Sequence, residues 1–243
     1  FCLSRGLGDV YKRQLLMVID MLLKEIYSEY DYNIEITGVQ TDSRFVKPGN
    51  LFLPIRGKNF EGDEFFIDAI TKGAVAIVYD KAIHNLTIPV IIVDNLEKEL
   101  FRLIDLIYEK PYNELTMIGV TGTDGKTSVS TLTSYLLNHL SRCANIGTNG
   151  IIYDKEIIDN VFTTPILTQN YSLLREFSNL GISYVSMEVS SQGIANKRIE
   201  GILYDYAIFT NLSHEHLDTH KTCLLCTSPS PRDRQKSRMP SSA

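Results

Sequence analysis

The sequence lacks the features that mark several classes of protein. Its longest apolar runs, such as residues 74–78 and 90–93, have the length of strands, far short of the roughly 20 residues that a membrane-spanning helix needs. The net charge of −5 provides no basic surface for nucleic acid. With 44% hydrophobic and 22% charged residues, the composition excludes a disordered or collagen-like chain. The 243 residues are enough for one or two globular domains.

Cysteine is scarce, and most of it lies near the chain ends. Of the four cysteines, Cys2, Cys223 and Cys226 lie in the flanks and only Cys143 lies in the body. This distribution predicts no disulfide framework and favours a reducing cytoplasm. Half of a zinc site is an alternative interpretation of Cys223 and Cys226, but no second pair follows them.

Both ends of the chain differ from the body in charge and in amino-acid composition. Residues 1–14 and 221–243 carry a basic excess, whereas the stretch between them is acidic. Residues 227–243 are rich in Ser, Pro and Arg, with Met239 as their only large apolar side chain, so they cannot bury enough surface to fold. We expect both flanks to be foreign sequence and the N-terminus to carry no targeting signal.

Between the flanks, strand-like and helix-like segments alternate, which predicts an α/β fold with a mostly parallel sheet. The predicted domains are residues 15–112 and 113–220. The predicted strands are 51–55, 74–79, 90–93, 115–120, 144–146, 184–188 and 204–209, with a hairpin at 151–158 around Asp154-Lys155. Of these, 74–79, 90–93, 184–188 and 204–209 are predicted to be buried. The predicted helices are 64–72 and 96–110, with Asp63 and Asp94 as N-caps, and 126–140 and 167–179.

A glycine-rich turn between strand 115–120 and helix 126–140 predicts a phosphate-binding loop. Glycines allow backbone N–H groups to close around phosphate oxygens, and the helix N-terminus contributes its positive dipole end. In this pattern Lys126 contacts the β- and γ-phosphates, and the Thr127 hydroxyl binds Mg²⁺. Val120 occupies the place of the first glycine of the general pattern. The alternative is a turn with a chance Gly-Lys-Thr.

Two further segments follow predicted strands at the edge where ligands bind in such sheets. Glu188 ends one strand and is a candidate ligand for a metal bridging two phosphates, the alternative being a solvated carboxylate. Residues 214–220 contain His214, His216 and His220 together with Glu215 and Asp218. Their spacing does not place all three histidines on one helix face. One histidine in a metal–phosphate site is therefore favoured over a three-histidine zinc site.

These motifs together resemble those of the Mur ligase family. The segment 121–127, T-G-T-D-G-K-T, is similar to the T-G-T-N-G-K-T loop of that family, and 210–220 is similar to its T-N-L-x-x-D-H-L-D-x-H segment. Residues 163–165, T-T-P, and 187–191, M-E-V-S-S, resemble the MurE type. Residues 42–44, D-S-R, resemble the N-terminal UDP-binding domain of that type. The likeness covers residues 20–220.

The resemblance implies a small N-terminal α/β UDP-binding domain followed by an incomplete P-loop central domain. It implies an ATP-dependent ligase that adds meso-diaminopimelate or L-lysine to UDP-N-acetylmuramoyl-L-alanyl-D-glutamate through an acyl phosphate in peptidoglycan synthesis. The implied cofactors are ATP and Mg²⁺, and the implied partners are the UDP-linked muramoyl dipeptide and the amino acid as substrates. The sequence makes no protein partner evident.

The resemblance also assigns roles to individual residues. The implied catalytic residues are Lys126, Glu188 and His216, with Thr127 and Glu188 on one Mg²⁺ and His216 on a second. The implied ATP-binding residues are Gly122, Thr123, Asp124, Gly125, Lys126, Thr127 and Ser128. The implied contacts to the UDP-linked substrate are Ser43, Thr163, Thr164, Ser190, Asn196 and Arg198.

Several positions depart from the family pattern. Asp124 replaces an Asn, Phe162 stands where an Asn commonly occurs, and Gln192 stands where a His often follows. A lysine that the family carries after its last motif has no counterpart here, nor has the amino-acid-binding domain. We therefore expect this chain to be inactive by itself and poorly soluble through an exposed sheet edge. A folylpolyglutamate-type ligase and a non-catalytic nucleotide-binding or UDP-sugar-binding module remain alternatives.

Overall fold

The structure, a computed structural model, describes residues 21–55 and 65–213. Both predicted flanks, the Asp63 cap and the three histidines at 214–220 lie outside these ranges. The described residues form two compact units, one comprising 21–55, 65–114 and 167–181 and the other comprising 115–166 and 182–213.

The first unit contains a parallel four-stranded sheet in the order β3-β4-β5-β6 and a short antiparallel pair, β1-β2. Its strands are β1 (Met21–Leu22), β2 (Glu35–Ile36), β3 (Gly38–Gln40), β4 (Asn50–Phe52), β5 (Ala76–Tyr79) and β6 (Val90–Ile92). Its helices are α1 (Leu23–Ile26), α2 (Phe66–Thr71), α3 (Leu96–Tyr108) and the later helix α5 (Leu167–Asn179). Part of the core forms around Phe52, Phe66 and Tyr79, where the Phe66 and Tyr79 rings meet edge to face at 5.2 Å.

Helix α3 begins at Leu96 as predicted, but its N-cap and its C-terminal end differ from the prediction. The Asn95 side chain, and not that of Asp94, accepts the hydrogen bond from the Lys98 N–H at 2.8 Å, so the predicted cap was one residue early. The helix ends at Tyr108 because Glu109 and Lys110 adopt left-handed backbone angles, φ 52° and 51°, before Pro111 is reached. Since Pro disfavours helical angles in the residue before it, the helix ends ahead of this position.

Helix α5 has the predicted range but lies with the first unit, although its sequence neighbours belong to the second. Its buried Thr168 hydroxyl donates to Gln40 Oε1 at 2.8 Å. The Tyr171 ring contacts those of Tyr108 and Tyr112, with centroids 6.4 and 6.1 Å away. The helix thus makes both its polar and its aromatic contacts with residues that are far away in sequence.

The second unit has a six-stranded sheet in the order β10-β9-β8-β11-β7-β12. Its strands are β7 (Thr116–Thr121), β8 (Cys143–Gly147), β9 (Gly150–Tyr153), β10 (Glu156–Ile158), β11 (Tyr184–Glu188) and β12 (Tyr206–Phe209), and its helices are α4 (Lys126–Leu137) and α6 (Ser191–Ala195). Strands β8, β11, β7 and β12 are parallel. The predicted α/β class with a mostly parallel sheet is therefore confirmed.

The two edges of this sheet differ. The predicted hairpin is present as β9-β10, and Asp154 and Lys155 both have positive φ, 47° and 75°, as a tight turn matching the strand twist requires. Strand β12, which the sequence predicts to be buried, is exposed at the other edge, where Tyr206 and Phe209 are 63% and 60% accessible. An apolar run alone does not distinguish a central strand from an edge strand. No helix within 21–55 and 65–213 is long and apolar enough to cross a bilayer.

Candidate nucleotide site

The predicted phosphate loop connects the carboxyl end of β7 to the start of α4. Gly125 (φ 79°) is the N-cap of α4, and no side chain caps the helix there, which leaves its first N–H groups available to an anion. Gly122 has φ 138°, and a Cβ at this position would overlap the Thr210 hydroxyl. Only glycine fits both the backbone angle and the space at this position.

The Lys126 side chain folds over the loop. Its Nζ donates to the carbonyl oxygens of Gly122, at 2.7 Å, and Thr123, at 2.6 Å. Its ammonium group therefore lies directly at the loop that the sequence assigns to phosphate, where a positive charge complements an anion.

The loop is held in place by the segment that follows β12, the strand next to β7. The Thr123 N–H donates to the Asn211 carbonyl at 3.0 Å, and the Asp124 N–H donates to Asn211 Oδ1 at 2.8 Å. The Thr210 hydroxyl donates to the Asp124 carbonyl at 2.6 Å. Sequence reasoning singled out this segment for its histidines and overlooked the supporting role of Thr210 and Asn211. The pairing of β12 with β7 is the signal that reveals it.

Glu188 lies at the carboxyl end of β11, beside the loop, and is only 1% exposed. The Thr127 hydroxyl donates to Oε2 at 2.9 Å, and the Thr148 N–H donates to Oε1 at 2.9 Å. The Thr148 hydroxyl donates to Oε2 at 3.2 Å. The alternative of a solvated carboxylate is therefore wrong. Thr148 is a residue of this site that sequence reasoning missed.

The donor set around Glu188 fits Mg²⁺. A carboxylate oxygen and the Thr127 hydroxyl oxygen lie 2.9 Å apart, and both are hard ligands of the kind that Mg²⁺ takes from proteins alongside water and substrate phosphates. Within the described part of the chain, no group of three or more His, Cys, Asp or Glu side chains converges on a metal position. The predicted second ligand site at His216 lies outside that part.

Residues 162–164 connect to the same strand end. Thr164 is fully buried. Its hydroxyl donates to the Glu188 carbonyl and accepts from the Ser190 N–H, both at 2.9 Å. The Ser190 side chain in turn accepts from the Gly193 N–H at 3.0 Å and thereby caps α6. The Thr164 hydroxyl is thus already occupied by protein partners that shape the strand end.

Arg198 packs against this segment. Its Nη1 donates to the Thr164 carbonyl at 3.0 Å, and its guanidinium carbon lies 4.1 Å from the centroid of the Phe162 ring. Partial burial lowers the pKa of Arg198 from its usual value, but the guanidinium remains a cation at neutral pH. The Phe162 ring, at a position where the family pattern commonly has Asn, thus supports the Arg198 guanidinium through a cation–π contact.

Hydrogen bonds therefore link most of the predicted site residues of the second unit. One chain runs from Thr127 through Glu188 and Thr148 to Thr163, whose hydroxyl lies 3.1 Å from that of Thr148. Ser128 and Asn196 are exposed and are not members of this chain. Ser43 is in the first unit, where it is 4% exposed, opens a 3₁₀ turn capped by Asp42, and accepts from Lys72 Nζ through its carbonyl at 3.1 Å.

Comparison with known families and proteins gives consistent matches. Residues 120–224 match the Mur ligase middle domain. Residues 35–104 match the domain described as Mur ligase family, catalytic domain. The chain is 37% identical over 205 residues to the UDP-N-acetylmuramoyl-L-alanyl-D-glutamate–2,6-diaminopimelate ligase of Haemophilus influenzae strain PittGG, covering 80% of this chain and 42% of that protein. It is 41% identical over 191 residues to UDP-N-acetylmuramyl-tripeptide synthetase 2 of Oceanobacillus iheyensis, covering 76% of this chain and 38% of that protein.

Two solved structures of ligases are also similar to this chain. A UDP-N-acetylmuramoyl-L-alanyl-D-glutamate–2,6-diaminopimelate ligase superposes with a TM-score of 0.61 at 27% identity, covering 84% of this chain and 43% of that one. MurF ligase from Thermotoga maritima in complex with ADP shares the fold, with a TM-score of 0.51 at 24% identity, over 77% of this chain and 40% of that one. The chain spans about two fifths of the length of the curated relatives that it matches.

Proposed function

The chain belongs to the Mur ligase family, and from that premise we propose that it binds MgATP and a UDP-linked muramoyl dipeptide for the step that adds the third amino acid of the peptidoglycan precursor. In that reaction a substrate carboxylate takes the γ-phosphoryl group of ATP, and ADP leaves. The amine of diaminopimelate or lysine then displaces phosphate from the acyl phosphate and forms the amide. The buried thiol of Cys143 suits a reducing cytoplasm as the location.

The observation that carries the proposal is the contact between Thr127 and Glu188 beside the loop that Lys126 covers. Phosphoryl transfer depends on positioning and on neutralising charge, and these residues provide both. Lys126 would neutralise phosphate charge, while Thr127 and Glu188 would hold Mg²⁺, which would supply further charge neutralisation when bound. His216 as ligand of a second Mg²⁺ is part of the proposal on the resemblance alone.

For the UDP-linked substrate, we propose contacts from Ser43, Thr163, Ser190, Asn196 and Arg198. The guanidinium of Arg198 has the fork geometry that suits a carboxylate or phosphate. Thr164 contributes by holding the strand end, because its hydroxyl is already used by the Glu188 carbonyl and the Ser190 N–H.

Nucleotide binding tests the first half of the proposal. Fluorescence titration of the chain with a mant-labelled ATP and Mg²⁺ is expected to show saturable binding. Lys126→Ala is expected to weaken it by about tenfold or more, since one charge-assisted contact is worth roughly 1.5–3 kcal/mol. Lys81→Ala, which removes an exposed lysine of the first unit, is the matched control. Equal binding by both variants would contradict the assignment of the loop.

Substrate competition separates the alternatives. Calorimetric titration with UDP-N-acetylmuramoyl-L-alanyl-D-glutamate is expected to show binding that Arg198→Ala weakens, and a reduced folate is expected to show none. Folate binding would instead favour a folylpolyglutamate-type ligase. MgATP binding without any affinity for the UDP-linked compound would favour a non-catalytic nucleotide-binding module.

A further inference from the structure

A tight turn that the nucleotide-binding motifs do not include is built around the Glu188 carboxylate. In the segment 147–150, Gly-Thr-Asn-Gly, the two central residues connect β8 to β9, and the two glycines are paired strand ends. A Cβ at Gly147 would overlap Glu188 Oε1, so the carboxylate occupies space that only glycine leaves open. The next residue, Thr148, is exposed and contacts both carboxylate oxygens, with its N–H on Oε1 and its hydroxyl on Oε2.

The direction of the hydrogen bonds follows from the groups involved. A carboxylate oxygen only accepts, and a hydroxyl has a single proton to donate. Because the Thr148 proton goes to Glu188, the contact between the Thr148 and Thr163 hydroxyls at 3.1 Å has Thr163 as the donor. A one-way chain therefore runs from Thr163 through Thr148 to the same Oε2 atom that accepts from Thr127.

We propose that Thr148 is a positioning residue that acts through Glu188. Its two donors fix the plane and rotation of the carboxylate, so that Oε2 stays beside the Thr127 hydroxyl where a metal ion is to bind. This inference rests on the proposed function, because the metal is the one that would accompany ATP. Hydrogen-bond partners that orient a metal ligand typically change metal affinity by about 10–100-fold when they are removed.

The first test compares nucleotide binding with and without metal. The dissociation constant of mant-ATP is measured in excess Mg²⁺ and in EDTA for the full chain. Thr148→Val removes the hydroxyl at nearly constant shape, and we expect it to weaken binding about tenfold in Mg²⁺ while leaving binding in EDTA unchanged. Thr148→Ser, which keeps the hydroxyl, is expected to restore the Mg²⁺-dependent gain.

The matched control is Thr131→Val on α4. The Thr131 hydroxyl is buried and has no hydrogen-bond partner among the described residues, so its removal is expected to leave both dissociation constants unchanged. A Thr148→Val variant that keeps the full Mg²⁺-dependent gain would overturn the proposal. So would a variant that loses affinity equally in EDTA, because that result indicates a general structural role.

A second test needs no nucleotide. Melting temperatures are measured for Thr148→Val, Glu188→Gln and the double variant. Because hydrogen bonds to a charged group are stronger than those to a neutral one, we expect the two losses to be non-additive, with a smaller effect of Thr148→Val when Glu188→Gln is already present. Additive losses would overturn the proposal. If wild-type chain binds no MgATP, the proposed function fails, whereas this cycle still decides whether Thr148 holds the carboxylate.

Discussion

Two glycines of the phosphate loop have positive φ but different surroundings, and this difference yields a prediction. Gly125→Ala introduces a Cβ into open space, so only the strained backbone angle costs stability, about 1 kcal/mol. Gly122→Ala meets Thr210 Oγ1 and the Asn211 backbone as well. We expect it to lower the free energy of unfolding by about 3 kcal/mol or more and to weaken mant-ATP binding. Urea denaturation of both variants measures the difference.

Because the two variants carry the same substitution within one loop, Gly125→Ala serves as the control. Equal losses in the two variants would show that backbone strain alone matters, and that the contact of the loop with Thr210 and Asn211 is unimportant.

The sequence indicates which residues of this site are candidates for binding phosphate and metal, but not which residues hold them in position. Glycines, Lys126 and Thr127 form a local pattern between a strand and a helix, so their proposed role can be predicted from spacing alone. Thr148 and Asn211 act on Glu188 and the loop from segments that are distant in sequence. Their roles depend on which strands are neighbours in the sheet, and spacing along the chain does not contain this information.

The C-terminal end of α3 is stabilised by a side chain of another helix. Arg175 of α5 donates to the Tyr108 carbonyl through Nε and Nη2, at 2.9 and 2.6 Å, and pairs with Glu114. A cation at the negative end of a helix satisfies carbonyl oxygens that the helix itself leaves without donors. The Arg175 side chain is 11% exposed, so solvent screens this interaction only weakly.

We therefore expect Arg175→Ala to lower the free energy of unfolding by about 2–3 kcal/mol, as measured by urea denaturation. Arg142→Ala is the control, since Arg142 and its partner Asp154 form an ion pair with side chains 44% and 37% exposed. Pairs of this kind contribute about 0–1 kcal/mol. A loss for Arg175→Ala no larger than that of the control would show that α5 contributes little to the end of α3.

The helices and strands themselves were predicted with different accuracy. Helix α5 has the predicted range because buried apolar side chains recur at helical spacing along it and Gly181 follows its end, and strand β11 also has its predicted range. Strand β12 was predicted to be buried and is exposed, because burial depends on the position of a strand in the sheet. The cap of α3 was misplaced by one residue because Asp94 and Asn95 are both good N-cap residues.

The surface of the second unit includes exposed apolar side chains on helix α4 and strand β12. On α4 the side chains of Ser130 and Ser134 are buried, while Leu132, Tyr135 and Leu136 are 60%, 62% and 63% exposed. Strand β12 adds exposed aromatic side chains at the edge of the sheet. Exposed apolar patches and open strand edges promote association.

We therefore expect the chain to self-associate, and to do so less after Leu136→Lys. Sedimentation velocity over a range of concentrations is the measurement. Asn179→Lys adds the same charge at an exposed position of α5 and controls for net charge. Wild-type chain that stays monodisperse and melts sharply would contradict the expectation.

The interleaved path of the chain has a consequence for its synthesis. Residues 21–114 provide the sheet of the first unit, yet α5, which packs on Tyr108 and Tyr112, is reached only after β7, α4 and the β8-β9-β10 strands have been made. Because the ribosome releases the chain from its N-terminus onward, the first unit is complete only after residue 181 has been synthesised. Strand β11 follows directly and fills the centre of the second sheet. During synthesis, Tyr108 and Tyr112 are therefore made well before α5, the helix that packs on them. Much of the second unit has been made by the time α5 follows.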